Sequence, residues 1–265
     1  MSTEPNTDNR APLAGRVALV TGSTRGLGRT TAEWLARAGA SIVVSGREED
    51  AVADSVAAIE ALGVQAWGLT ADLSQAAEAH RLARETLALV PQVDILVNNA
   101  GMSIRGNFWD YSDEDFEYQL NVNFRSPFIL AQHMAKQMID RKIAGRIVNF
   151  STIGARHCHA DAAVYDSAKG AVETMTRNMA YELAPYGITV NCIVPGAISD
   201  RPGMKPYDPA KREKYVRHIP MGRVGRAEDI AAAVRFFCLP ETEFTTGQAL
   251  LIDGAHATYL PERID

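Results

Sequence analysis

Short apolar runs rich in β-branched residues alternate with longer stretches of helical apolar spacing along most of the chain, and this alternation restricts the fold more than any other feature. The short runs are RVALVTG (16–22), SIVVSG (41–46), VQAWGLTAD (64–72), VDILVNNAG (93–101), GRIVNFST (145–152), GITVNCIVPG (187–196) and QALLIDGA (248–255). Between them, residues 28–39, 49–63, 75–90, 113–142, 162–187 and 227–240 carry helical spacing, and several of these stretches close on Gly or Pro. Strands that are apolar on both faces and alternate with helices belong in a parallel sheet covered on each side. Seven such units with no Pro- or Ser-rich linker predict one doubly wound α/β domain over 13–265, led by a disordered polar segment at 1–12. The irregular stretch is 197–225, rich in Pro, Gly and charge, and it follows the sixth strand at the carboxyl edge where open parallel sheets place their ligands. A lid or substrate loop is expected there.

Composition removes whole classes of function. Hydrophobic residues make up 46% of 265, enough for a large core, and the net charge of −5 supplies no pull toward nucleic acid or anionic lipid. No apolar run reaches the ~20 residues of a membrane span, and the first residues lack a signal pattern. Cys158, Cys192 and Cys238 are too scattered for a disulfide framework or a zinc spacing, so a cytoplasmic protein is expected. A metal held by His157, Cys158 and His159 is excluded because alternating neighbours rarely converge and no further ligands follow. The expected partner is a small molecule.

The first strand runs into TGSTRGLG, where Gly22, Gly26 and Gly28 open a helix around Thr24, Arg25 and Leu27. Glycine permits a tight turn and lets backbone N–H groups approach a pyrophosphate, which then rests on the positive end of the helix. An acidic residue closing the second strand would grip a ribose 2′-hydroxyl and repel a 2′-phosphate. Here that strand ends Gly46-Arg47, although Glu48 or Glu49 can still bend back. Arg25 and Arg47 can together form a fork for a phosphate dianion, which favours NADP(H) over NAD(H).

Tyr165 and Lys169 stand four apart on a helical pattern, so they share a face. A hydride moving between a carbinol carbon and nicotinamide needs a proton moved with it. Free tyrosine, with a pKa of about 10, needs a nearby cation to become acidic enough. Taken together, TGSTRGLG, Asp72-Leu73, NNAG (98–101), the Asn of NVNF, Y-x-x-x-K and VNCIVPG (190–196) resemble a short-chain dehydrogenase/reductase from about residue 13 to about residue 255. The resemblance implies a Rossmann-like fold, a catalytic set of Asn123, Thr152, Tyr165 and Lys169, and an NAD(P)-dependent interconversion of a secondary alcohol and a ketone, or of a hemiacetal and a lactone. It further implies that Lys169 holds the nicotinamide ribose, that Asn123 kinks its helix and holds a relay water, and that Asp72 and Leu73 border the adenine. Asn99, Ala100 and Gly101 would line the cofactor, with Asn98 bracing the sheet, and Asn191, Pro195, Gly196 and Ile198 would lie near the nicotinamide. A dimer or tetramer built on 113–142 and 163–186 is also implied.

Two departures from the family pattern stand out. Thr152 occupies the place of the family's substrate-binding serine, with Ser151 as the alternative if the loop is one residue longer. After Pro195-Gly196 the family's carboxamide-binding threonine is replaced, and Ser199, Asp200 or a backbone amide must serve. The pocket wall is expected from 102–109, 153–162 and 197–225, where Arg105, Arg156, His157, His159, Arg201 and Lys205 suit a polar or anionic substrate: a sugar, polyol, sugar acid or hydroxy/oxo acid. Solvated loop cations are the competing reading. As rival functions, a nucleotide-binding regulator without turnover would not need the Tyr/Lys pair, and an epimerase or dehydratase would need a longer substrate domain.

Overall fold

The structure is a computed structural model and describes residues 11–199 and 201–258. Residues 1–10 of the lead expected at 1–12, Asp200 and the residues from 259 lie outside the described residues. Seven strands pair in parallel: β1 (Val17–Thr21), β2 (Ser41–Gly46), β3 (Ala66–Thr70), β4 (Ile95–Asn98), β5 (Arg146–Phe150), β6 (Thr189–Pro195) and β7 (Ala249–Ile252). Their order is β3-β2-β1-β4-β5-β6-β7. The switch in direction lies between β1 and β4, and a crevice opens there at the carboxyl ends. β2 matches its apolar run, while β1, β3, β4, β5 and β6 are shorter than theirs, which continue past the last paired residue into loops at the crevice.

Alternating side chains divide the core between the two faces of the sheet. Ala18, Val20, Ile42, Val44 and Val97 pack with α1 (Gly26–Arg37), α2 (Glu49–Glu60) and α9 (Ala227–Cys238). Val17, Leu19, Val43, Leu96 and Ile147 pack with α3 (Ala76–Leu89), α5 (Ser126–Asp140) and α7 (Ala163–Leu183). Burying a leucine or valine of this kind contributes about 1.5–3 kcal/mol, so each layer is fixed by many such residues.

The stretch 113–142 is two helices rather than one. α4 (Asp113–Leu120) passes through a π turn at Asn121–Arg125 into α5. Asn123 causes the interruption: its Nδ2 donates to the Gln119 carbonyl at 2.9 Å and to the Met102 carbonyl at 2.7 Å. The Met102 N–H returns a bond to its Oδ1 at 3.1 Å, tying the helix to the loop after β4. Extra residues in a helical turn are a recognised feature of functional sites. Two shorter helices were not expected: α6 (Gly154–His157) and α8 (Pro209–Val216). α8 lies within 197–225, where few apolar residues mark it, although the Asp208-Pro209 start is a legible signal. A parallel bridge between Ile198 and Gly225 closes the base of that segment.

Candidate active site

The carboxyl ends of β1, β2, β4, β5 and β6 surround a cavity of about 730 Å³, large enough for a dinucleotide. Its wall contains Gly22, Thr24, Arg25, Gly26, Leu27, Arg47, Asp72, Leu73, Asn99, Ala100, Gly101, Thr152, Tyr165, Lys169, Pro195, Gly196 and Ile198, all expected from sequence. Gly28 and Asn123 stand behind it. A side chain at Gly28 would collide with the Gly22 carbonyl and the Asn99 carboxamide, so this position sets how tightly the turn can close. Asn99 braces the same turn: its Nδ2 donates to the carbonyls of Thr21 (2.8 Å) and Gly22 (3.2 Å). Asn98 donates to Asn149 Oδ1 at 2.9 Å and joins β4 to β5.

At one end, Arg25 and Arg47 are both on the wall, with Glu48 beside them. The Arg47 guanidinium donates to the Tyr118 hydroxyl at 3.2 Å, and among the described residues neither arginine pairs with a carboxylate. Asp72 turns inward on its own loop and accepts from the Ser74 N–H at 3.0 Å.

At the other end, α7 carries Tyr165 and Lys169 to the loop after β5. Lys169 is 2% exposed and donates to the Phe150 carbonyl at 2.9 Å. Burial lowers its ammonium to about 8. Nζ lies 5.9 Å from the centroid of the Tyr165 ring. A Cβ at Gly101 would stand 3.2 Å from Asn123 Oδ1 and 3.4 Å from Lys169 Nζ, so these two groups flank the same glycine. The electrostatics of Tyr165 differ from the expectation of a phenol acidified by its lysine. Burial, assisted by the nearby Asp166 carboxylate, raises the phenol to about 12. Arg105, a hydrogen bond from Thr152, and Arg201 pull in the opposite direction. Lys169 has already spent a donor on Phe150 and lies well back from the ring, so the protein presents a protonated phenol at neutral pH.

The two hydroxyls left open by the sequence have different surroundings. Ser151 borders the cavity as well, but its Oγ donates to the Lys169 carbonyl (3.1 Å) or Glu173 Oε1 (2.9 Å). Thr152 Oγ1 accepts only a long bond, 3.4 Å, from the Gly154 N–H and stands close enough to Tyr165 to act on its phenol.

Of the six cationic or imidazole residues expected on the pocket wall, only Arg201 lines this cavity. Arg156 is taken by Glu173 at 3.0 Å and by the Ala249 carbonyl at 3.2 Å. His159 meets Asp166 at 3.0 Å, and Arg105 donates to the Ala160 carbonyl at 2.9 Å. His157 and Lys205 are exposed. The segment after β6 reaches back over the phosphate turn. The Gly26 N–H donates to the Pro202 carbonyl at 2.6 Å, and Met204 and Tyr207 join the wall. Sequence reasoning missed Glu173 and Tyr207. Glu173 repeats the helical spacing of Tyr165 and Lys169, the signal that could have found it.

The chain is similar to known proteins along most of its length. A family model described as enoyl-(acyl carrier protein) reductase matches residues 22–255. The chain is 32% identical to a pig (Sus scrofa) protein named dehydrogenase/reductase SDR family member 4, over 96% of this chain and 91% of that one. It is 33% identical to a 2-dehydro-3-deoxy-D-gluconate 5-dehydrogenase of Formosa agariphila, over 91% and 92% of the two chains. Among solved structures, a gluconate 5-dehydrogenase from Burkholderia cenocepacia J2315 in complex with NADP and tartrate superposes with a TM-score of 0.86 at 32% identity, covering 95% of this chain and 99% of that one.

Proposed function

We propose that this chain, which belongs to the short-chain dehydrogenase/reductase family and is an oxidoreductase acting on CH–OH groups, uses NADP(H) to interconvert a secondary alcohol and a ketone on a small polar molecule such as a sugar, polyol or hydroxy/oxo acid. One observation carries the reading: Thr152, Tyr165 and Lys169 converge on the wall of the cavity that the glycine turn opens. A dinucleotide fits the residues present. Close approach at Gly22 and Gly28 makes room for a pyrophosphate, and Arg25 and Arg47 face a 2′-phosphate with no carboxylate paired to either among the described residues. A bound nicotinamide would supply or accept the hydride.

The chain's own residues manage the proton. In reduction, the Thr152 and Tyr165 hydroxyls hold the carbonyl oxygen, and Tyr165 passes its proton to that oxygen as the carbinol forms. In oxidation the same phenol, as phenolate, receives the carbinol proton. Held near 12, the phenol carries its proton at neutral pH, the form that reduction requires. Lys169, fixed by Phe150, keeps an ammonium close to Gly101 and to Asn123, a place suited to ribose hydroxyls and to a proton path. Exposed Phe116, Phe128 and Tyr181 on α4, α5 and α7 support a homodimer or homotetramer, and three free cysteines suit the cytoplasm.

Replacing Tyr165 by Phe tests the assignment. Turnover of NADPH with a panel of ketones and oxo acids should fall roughly a hundred- to ten-thousandfold while NADPH affinity, read by fluorescence, stays near wild type. Full turnover by the variant would defeat the reading.

A further inference from the structure

We propose that the catalytic end of the cavity contains a carboxylate-binding subsite built on Arg201, so that the substrate is a short hydroxy or oxo acid. This deepens the proposed function and rests on it for the identity of the reacting end. Arg201 is on the same cavity wall as Thr152, Tyr165 and Tyr207. Its guanidinium carbon lies 6.0 Å from the centroid of the Tyr207 ring, and that ring stacks on Tyr215 of α8 at 5.3 Å. The base of the segment is pinned by the Ile198–Gly225 bridge, and the Gly26–Pro202 hydrogen bond holds the residue next to Arg201 against the phosphate turn. The arginine is therefore placed by structure on both sides of it.

Two further facts point to an anion. Several arginines elsewhere on this chain pair with carboxylates: Arg16 with Asp94, Arg156 with Glu173 and Arg223 with Asp229. Among the described residues Arg201, like Arg25 and Arg47 at the nucleotide end, pairs with no carboxylate although it is partly withdrawn from water. A planar guanidinium facing a cavity in this state offers two parallel N–H donors, the geometry a carboxylate takes. Arg105 adds a second positive charge from the loop after β4, because its field and that of Arg201 reach both Tyr165 and Tyr207. Among the described residues, one nitrogen of Arg105 is occupied, by the Ala160 carbonyl. Asp166, the acid nearest the phenol, is turned to the His159 ring and backbone N–H. Met102 and Ile198 add apolar surface to the same wall, which suits a short carbon chain between the acid and the reacting carbon.

The test is calorimetric titration of the full-length protein, saturated with NADP⁺, with oxamate against oxamide and malonate against malonamide. In parallel, NADPH turnover is measured with short 2- and 3-oxo acids and with their methyl esters. The acids should bind at least about tenfold more tightly than the amides. Arg201→Met should remove that advantage while NADPH affinity stays within about twofold, and Arg201→Lys should restore part of it. Equal binding of acid and amide by the wild type, or an unchanged acid preference in Arg201→Met, overturns the subsite. So does a loss of NADPH affinity matching the loss for acids, which would assign Arg201 to the cofactor phosphates. Failure of every acid and ester to oxidise NADPH would instead overturn the proposed turnover of short oxo acids, while the titration still decides the subsite.

Discussion

Thr152 and Ser151 show how far one residue's surroundings decide its chemistry. Both carry a hydroxyl, follow β5 and border the cavity, yet the Ser151 hydroxyl is engaged by Lys169 and Glu173 while Thr152 accepts a long bond from the Gly154 N–H. Thr152→Ala should therefore lower kcat about ten- to a hundredfold, because it removes a donor aimed at the reacting oxygen. Ser151→Ala should leave kcat within a few fold and instead lower the melting temperature, because it strands the buried Glu173 oxygen; a burden of about 1–3 kcal/mol is expected from such a loss. Steady-state kinetics and thermal unfolding of the two variants separate the roles, and the opposite pattern would move the substrate hydroxyl to Ser151. The same residues mark the limit of a linear reading. The counts back from Tyr165 and forward from Asn149 both reach Thr152, but sequence spacing has no way to show which hydroxyl already has partners.

Secondary-structure junctions carry the cofactor prediction. α1 begins in a turn that only glycine can close, and a Cβ at position 28 has backbone on one side and Asn99 on the other. Gly28→Ala should fold, since helix α1 tolerates alanine, but should weaken NADPH binding at least about tenfold by widening the turn. A dissociation constant equal to wild type would show that the turn does not hold the pyrophosphate. Across the crevice, Arg25 opens α1 and Arg47 follows β2. The double variant Arg25→Ala, Arg47→Ala should lose about a hundredfold or more in NADPH affinity and much less for NADH, as two charge-assisted contacts to a 2′-phosphate require. Equal losses would reassign both arginines. The Pro, Gly and charge of 197–225 announced a segment apart from the core, and its hydrogen bond from Gly26 to Pro202 shows that it touches the phosphate turn. That contact joins residues far apart in sequence, so no local pattern could announce it. The break at Asn123 was expected only through the family resemblance; the cause, a side chain bonded to both Gln119 and Met102, needs the loop and helix in one place.

Over the whole molecule, hydrophobic periodicity was sufficient for the architecture. Strands buried on both faces and helices with one apolar stripe have essentially one way to hide their surfaces, a parallel sheet between two helical layers, and the glycine turn locates the crevice on it. Those are consequences of short-range repetition and of water's aversion to apolar surface, so they can be read from the order of residues. Which charges are free is a different kind of fact. Arg156, His159 and Arg201 look alike in loops of similar composition, but the first two are occupied by Glu173 and Asp166 and the third faces the cavity. The phenol of Tyr165 is likewise governed by burial and by Asp166 more than by the lysine one turn away. Electrostatic interactions fall off with distance through space and depend on access to water, and both are set only when the chain has closed on itself.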